Sequence, residues 1–136
     1  MLDIFIIAML NQPYIWGGDD PIYGFDCSGL VLEWLKTTGV YNGPDINAQD
    51  LYNWFKREPM HNMTSPLGKG TIVFFGKNLN SITHVGIAID EKHMLEAGSG
   101  NSTTVNKEIS AKQNAYVRLR PIKQRKGFVA YFSPRY

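Results

Sequence analysis

Hydrophobic spacing changes character near residue 70, and that change bounds the fold. Before it, apolar residues recur at helical intervals. In "CSGLVLEWLKTTG", Leu30, Val31, Trp34 and Leu35 fall on one side of a helix, and Gly39 is its stop. In "NAQDLYNWFKR", about Asn47 to Arg57, Leu51, Trp54 and Phe55 share a face. The opening "MLDIFIIAML" predicts a buried helix from about Asp3 to Asn11, and "HNMTSPLGKG" reads as loop. Beyond it the apolar runs shorten. "TIVFFG", "THVGIAID", "HMLEAG", "STTVNK", "YVRLRPI" and "FVAYFS" predict a sheet of about five or six strands. Asp90-Glu91-Lys92 is a tight turn between two of them. Helices followed by an antiparallel meander define the α+β class. With 43% apolar and 19% charged residues, the 136-residue chain suits one domain spanning 1–136.

Charge and cysteine usage exclude several functions. The formal net charge is +2, and only Lys123, Arg125 and Lys126 cluster. That cluster reads as a solvated turn, so no nucleic-acid partner is expected. The apolar start is shorter than the roughly 20 residues a spanning helix needs. It also lacks the basic region of a signal peptide, so action outside the cell would need another route of delivery. A single cysteine forms no internal disulfide, and no Cys/His spacing suggests a zinc site.

That cysteine, Cys27, lies in "GFDCSGL", where helical periodicity begins. A thiol attacks as thiolate, and the positive end of a helix dipole or a nearby imidazole favours that form. The bland alternative is a small buried hydrophobe. Of three histidines, His61 sits in a polar loop and His93 beside Lys92, and both read as exposed. His84 heads the apolar strand "HVGIAI". Alternation puts His84, Gly86 and Ala88 on one face, and these small residues leave room for the cysteine helix to approach. A satisfied, half-buried histidine is the alternative. A base histidine also needs an orienting acceptor, and a hairpin at 90–92 brings Glu96 alongside. Glu96 is either an inward partner or an outward, solvated carboxylate.

"YIWGG" (Tyr14 to Gly18), "GFDCSGL", "GKGTIVFF" and "HVGIAI", in this order, resemble the NlpC-type (NlpC/p-sixty) cell-wall cysteine peptidases. The likeness covers residues from about 12 to 98. It implies a papain-like fold, with N-terminal helices packed on the sheet. It also implies Cys27 as nucleophile, His84 as general base and Glu96, twelve positions on, as the third polar residue. The family more often has histidine at that third position. Tyr14 matches the tyrosine lining the family's active site, where it assists the oxyanion. Asp26 and Ser28 match positions that bind the free amine of a short peptide, although Asp26 also suits a helix cap. Trp16, Gly17 and Gly18 look structural. Gly70-Thr71 stands where the family often has Gly-Asp, a change expected to touch a strand start rather than the nucleophile.

The implied reaction is hydrolysis of peptidoglycan stem peptides, typically at the D-γ-glutamyl–diamino acid bond, through a thioester and without metal or organic cofactor. Action at the bacterial wall without a signal peptide suggests delivery by a phage, a virion or a secretion system, whose proteins are then partners. Two rivals remain: a papain-fold amidase or acyltransferase on another amide or ester, and a virion structural or binding protein that keeps the fold.

Overall fold

The computed structural model describes residues 1–20, 24–61 and 66–136. Three helices come first: α1 (Leu2–Met9), α2 (Cys27–Thr37) and α3 (Ala48–Arg57). Between α1 and α2, β1 (Asp19–Asp20) pairs antiparallel with β2 (Gly24–Phe25). The main sheet holds β3 (Ile72–Gly76), β4 (Ile82–Ala88), β5 (His93–Ala97), β6 (Val117–Pro121) and β7 (Phe128–Phe132). Its order is β6-β5-β4-β3-β7, and every pairing is antiparallel. A fourth helix, α4 (Lys107–Lys112), lies in the connection from β5 to β6.

Strand alternation divides the core in two. Ile72, Phe74, Val85, Ile87 and Leu95 face the helices and join Leu30, Leu35, Leu51 and Phe55 in the larger cluster. Phe55 stacks on Phe132 with ring centroids 5.3 Å apart. Each such side chain contributes about 1.5–3 kcal/mol by leaving water. On the opposite face Val73, Phe75, Ala88 and Met94 pack with Ile122. Gly86 belongs to this second face, where a Cβ would stand 2.9 Å from the Met94 sulfur. The small residues of β4 therefore make room for Met94, whereas the body of α2 packs on the other face.

Both later helices start on side-chain caps. Asn47 accepts the Asp50 N–H at 2.9 Å, and Asp26 accepts the Gly29 N–H at 2.7 Å. The 90–92 turn forms as its sequence predicts, with Asp90 Oδ1 accepting the N–H groups of Lys92 and His93. Thr71 is buried, and its hydroxyl accepts the Gly68 N–H just ahead of β3.

Four expectations need correction. Helix α1 is not buried all round: Leu2 and Phe5 face the core, while Ile4 and Ile7 are 73% and 77% exposed. "STTVNK" is not a strand. Asn101 and Thr104 tie a turn there, and Asn106 caps α4. Side-chain bonds to the local backbone outcompete a ladder in such a polar run. His61 is buried rather than exposed. Its ring packs against Trp54 and Phe55, and its Nδ1 accepts the Arg135 N–H at 2.8 Å. Arg125, finally, is not on a solvated turn; it is half-buried and lines the cleft described next. The predicted turn at Pro21 and the loop residues Asn62 and Met63 lie outside the described residues.

Candidate active site

The "YIWGG" and "GFDCSGL" segments interlock through backbone. Asp26 Oδ1 caps Gly29, Asp26 Oδ2 accepts the Gly17 N–H at 3.0 Å, and the Asp26 N–H donates to Gly18 O at 2.9 Å. Ser28 Oγ adds a bond to Asp26 Oδ1 at 3.3 Å. A Cβ on Gly29 would lie 2.0 Å from Gly18 O, so only glycine lets α2 come this close. Gly17 adopts φ 74°, the left-handed geometry the turn requires. Asp26 is thus a helix cap and also a clamp between the two segments. Burial raises its carboxyl above the ordinary range, against the pull of the Gly29 and Gly17 N–H groups.

This clamp puts Cys27 at the first turn of α2, half-buried at the floor of a cleft of about 540 Å³. Tyr14, Trp16, Asp26, Ser28 and Arg125 are among the residues lining it. A larger hollow of about 780 Å³, which Arg125 also lines, holds neither Cys27 nor His84. The Tyr14 ring is buried, and Gly100 sits so close that a Cβ there would lie 2.0 Å from Tyr14 Cδ1. Burial, then the proximity of Cys27 and Asp26, raises the Tyr14 hydroxyl well above its ordinary range.

His84 and Glu96 meet on the second face of the sheet. His84 is 3% exposed and Glu96 fully buried, and His84 Nε2 lies 2.7 Å from Glu96 Oε1. Arg120 Nη1 donates to Glu96 Oε2 at 3.3 Å. Burial works against the Glu96 charge, but the His84 hydrogen bond and the cations Arg125 and Arg120 prevail, so its pKa is lowered. Burial also lowers His84, opposed by Glu96 and reinforced by the two arginines. At neutral pH the pair is therefore a neutral imidazole donating Nε2–H to a carboxylate. That tautomer leaves Nδ1 as the basic nitrogen.

Cys27 does not hydrogen-bond the His84 ring among the described residues. Its Sγ donates to Thr83 O at 3.9 Å and receives the Val85 N–H, so it touches the backbone on either side of His84. Burial, with Asp26 adding, pushes the thiol up to about 12, although the Val85 and Ser28 N–H groups and Arg125 favour the thiolate. The expected lowering at a helix start is outweighed by burial. The resting pair is a thiol and a neutral imidazole.

The sequence model described as the NlpC/P60 family matches residues 11–125, a span that holds every one of these side chains. The chain belongs to the NlpC/P60 family. It is 38% identical over 89 residues to the bifunctional muramidase/DL-endopeptidase CwlT of Bacillus subtilis (strain 168), across 64% of this chain and 25% of CwlT. It is 33% identical over 90 residues to the gamma-D-glutamyl-L-lysine dipeptidyl-peptidase of the same organism, across 65% of this chain and 28% of that protein. The chain thus spans only about a quarter of the length of these curated relatives. The crystal structure of the peptidoglycan hydrolase RipB from Mycobacterium tuberculosis shares the fold, with a TM-score of 0.67 at 22% identity over 99% of this chain and 64% of that one.

Three groups of this NlpC/P60 chain escape a reading by sequence. Gln49 accepts the Ile82 N–H at 2.8 Å and donates to Leu79 O at 3.0 Å, which holds α3 against the entry to β4 beside the cleft. Arg120 is opposite Met94 in the sheet, two pairs along from the Glu96–Arg118 pair and on the same face, so only the register reveals its reach. Arg125 follows a short 3-10 turn at Ile122–Gln124, and its inward course depends on where that turn ends. The one available signal was the basic cluster itself, in which Lys123 and Lys126 are exposed.

Proposed function

We propose that this NlpC/P60 domain is a cysteine endopeptidase that hydrolyses peptidoglycan stem peptides at the D-γ-glutamyl–diamino acid bond. The observation that carries this reading is the buried 2.7 Å contact between His84 and Glu96, directly behind strand backbone touched by the Cys27 sulfur. The names of the two Bacillus relatives and of RipB agree with the substrate class.

Cys27 is the nucleophile, His84 the base and Glu96 its orienting partner. When substrate enters, the sulfur leaves Thr83 O and delivers its proton to His84 Nδ1. Apo enzymes commonly hold such bonds long and close them in the substrate complex. The sulfur adds to the scissile carbonyl. The oxyanion is met by N–H groups at the first turn of α2, which the helix itself leaves unpaired, and by the Tyr14 hydroxyl. Collapse expels the amine, which takes the proton back from His84 and leaves a thioester. Water, deprotonated by His84, then releases the acid and restores the thiol. Ser28 and Asp26, on the cleft wall, receive the amine end of the peptide.

Digestion of purified peptidoglycan followed by mass analysis tests this. Wild type should release fragments with a new amine on the diamino acid, and Cys27→Ala should release none while keeping its melting temperature. A new amine on the alanine next to the sugar would replace the endopeptidase reading with an amidase one. Equal activity in both proteins would remove the nucleophile.

A further inference from the structure

Arg125 is half-buried on the cleft that holds Cys27, and among the described residues its guanidinium donates no hydrogen bond. Its nearest carboxylate oxygen, Glu96 Oε1, is 3.8 Å away and already bonded to His84 at 2.7 Å. The other oxygen of Glu96 takes Arg120. The guanidinium carbon stands over the Phe75 ring, 5.8 Å from its centroid. A half-buried fork of five N–H donors, none of them hydrogen-bonded among the described residues, is suited to a planar anion.

We infer that Arg125 binds a free carboxylate of the substrate next to the scissile bond. Resting on the endopeptidase reading, this names the group: a γ-linked glutamate necessarily carries an unlinked α-carboxylate beside the γ-carbonyl under attack. The same residue in its α-carboxamide form presents a neutral group with an N–H₂ that faces the guanidinium donors unfavourably. Arg125 thus makes the domain select stem peptides with glutamate over those with isoglutamine. It acts as a specificity residue and takes no part in the bond-breaking step.

The test uses two synthetic peptides, L-Ala-γ-D-Glu-L-Lys-D-Ala and its α-carboxamide twin. Binding is measured by calorimetry with the Cys27→Ala protein, and cleavage with the wild type. The carboxylate peptide should bind roughly 10-fold or more tighter than its twin, as expected for a charge-assisted hydrogen-bond pair. Adding Arg125→Gln should erase the difference, and Arg125→Lys should keep part of it. In cleavage, Arg125→Gln should lower kcat/KM on the carboxylate peptide roughly 10-fold or more beyond any loss it shares with the carboxamide through Glu96 and Cys27. Equal binding of the two peptides to Cys27→Ala, or binding of neither, overturns the inference without recourse to any Arg125 variant. An equal loss on both peptides in Arg125→Gln overturns it too, since that is the mark of a residue that merely supports Glu96. If selective binding persists but neither peptide is cut, the endopeptidase reading falls and the role of Arg125 stands.

Discussion

Glu96 Oε1 receives His84 Nε2 at 2.7 Å in a place with no exposure to solvent. A carboxylate in that position has two effects: it fixes which ring nitrogen carries the proton, and in the proposed reaction it would compensate the charge that His84 takes up. Arg120 and Arg125 work against the second effect, because both oppose protonation of His84. The site therefore rests uncharged on the imidazole.

Replacing Glu96 separates the two effects. Glu96→Gln keeps an acceptor for Nε2–H but removes the charge, so kcat should fall roughly 10- to 100-fold, against about 1000-fold or more for His84→Ala. Steady-state kinetics on a stem-peptide substrate reads both. An unaffected Glu96→Gln enzyme would mean that some other group orients the imidazole.

The pH profile of thiol alkylation reports the resting state. With Cys27 pushed up to about 12 and His84 lowered, the thiolate is a minor species at pH 7. Its fraction rises with pH, so the iodoacetamide rate in the substrate-free enzyme should climb about tenfold per unit between pH 7 and 9. A preformed thiolate–imidazolium pair would give a flat rate across that window. Mass spectrometry of the carboxymethylated protein at timed intervals measures it.

Gly29→Ala probes the joint between the two motif segments. A methyl group 2.0 Å from Gly18 O must push α2 away from the Gly17–Gly18 turn. We expect a loss of about 2–3 kcal/mol in denaturant unfolding, typical of overpacking. Cleavage should drop by more than the lost folded fraction explains, because Cys27 moves with the helix. Wild-type activity in a fully folded Gly29→Ala protein would show that the close approach has no bearing on the thiol.

What the sequence discloses follows the range of the forces involved. Helix α2 and the strands on either side of the 90–92 turn follow from spacing within a few residues, and their motifs read directly. The inward pointing of Glu96 does not, because local pattern fits either face and only its partners His84 and Arg120 decide it. His61 was misread because its partners, Trp54, Phe55 and the Arg135 N–H, come together only in three dimensions. "STTVNK" has a run of β-branched residues, Thr103 to Val105, but Asn101 and Asn106 spend it on a turn and a cap. Ile4 and Ile7 were taken for core because a helix of eight residues with apolar groups all round gives no hint of which side is covered. Arg120 and Arg125 reach Glu96 from 24 and 29 residues downstream, a distance at which composition says only that a charge exists.

The clamp formed by Asp26 has a consequence for how such chains can vary. One carboxylate grips Gly17 and Gly29 together, and the Asp26 N–H returns to Gly18. The grip is made at Gly17, Gly18, Asp26 and Gly29, so a change of chain length between Gly18 and Gly24 would leave Cys27 anchored on the same cleft as Tyr14 and Trp16.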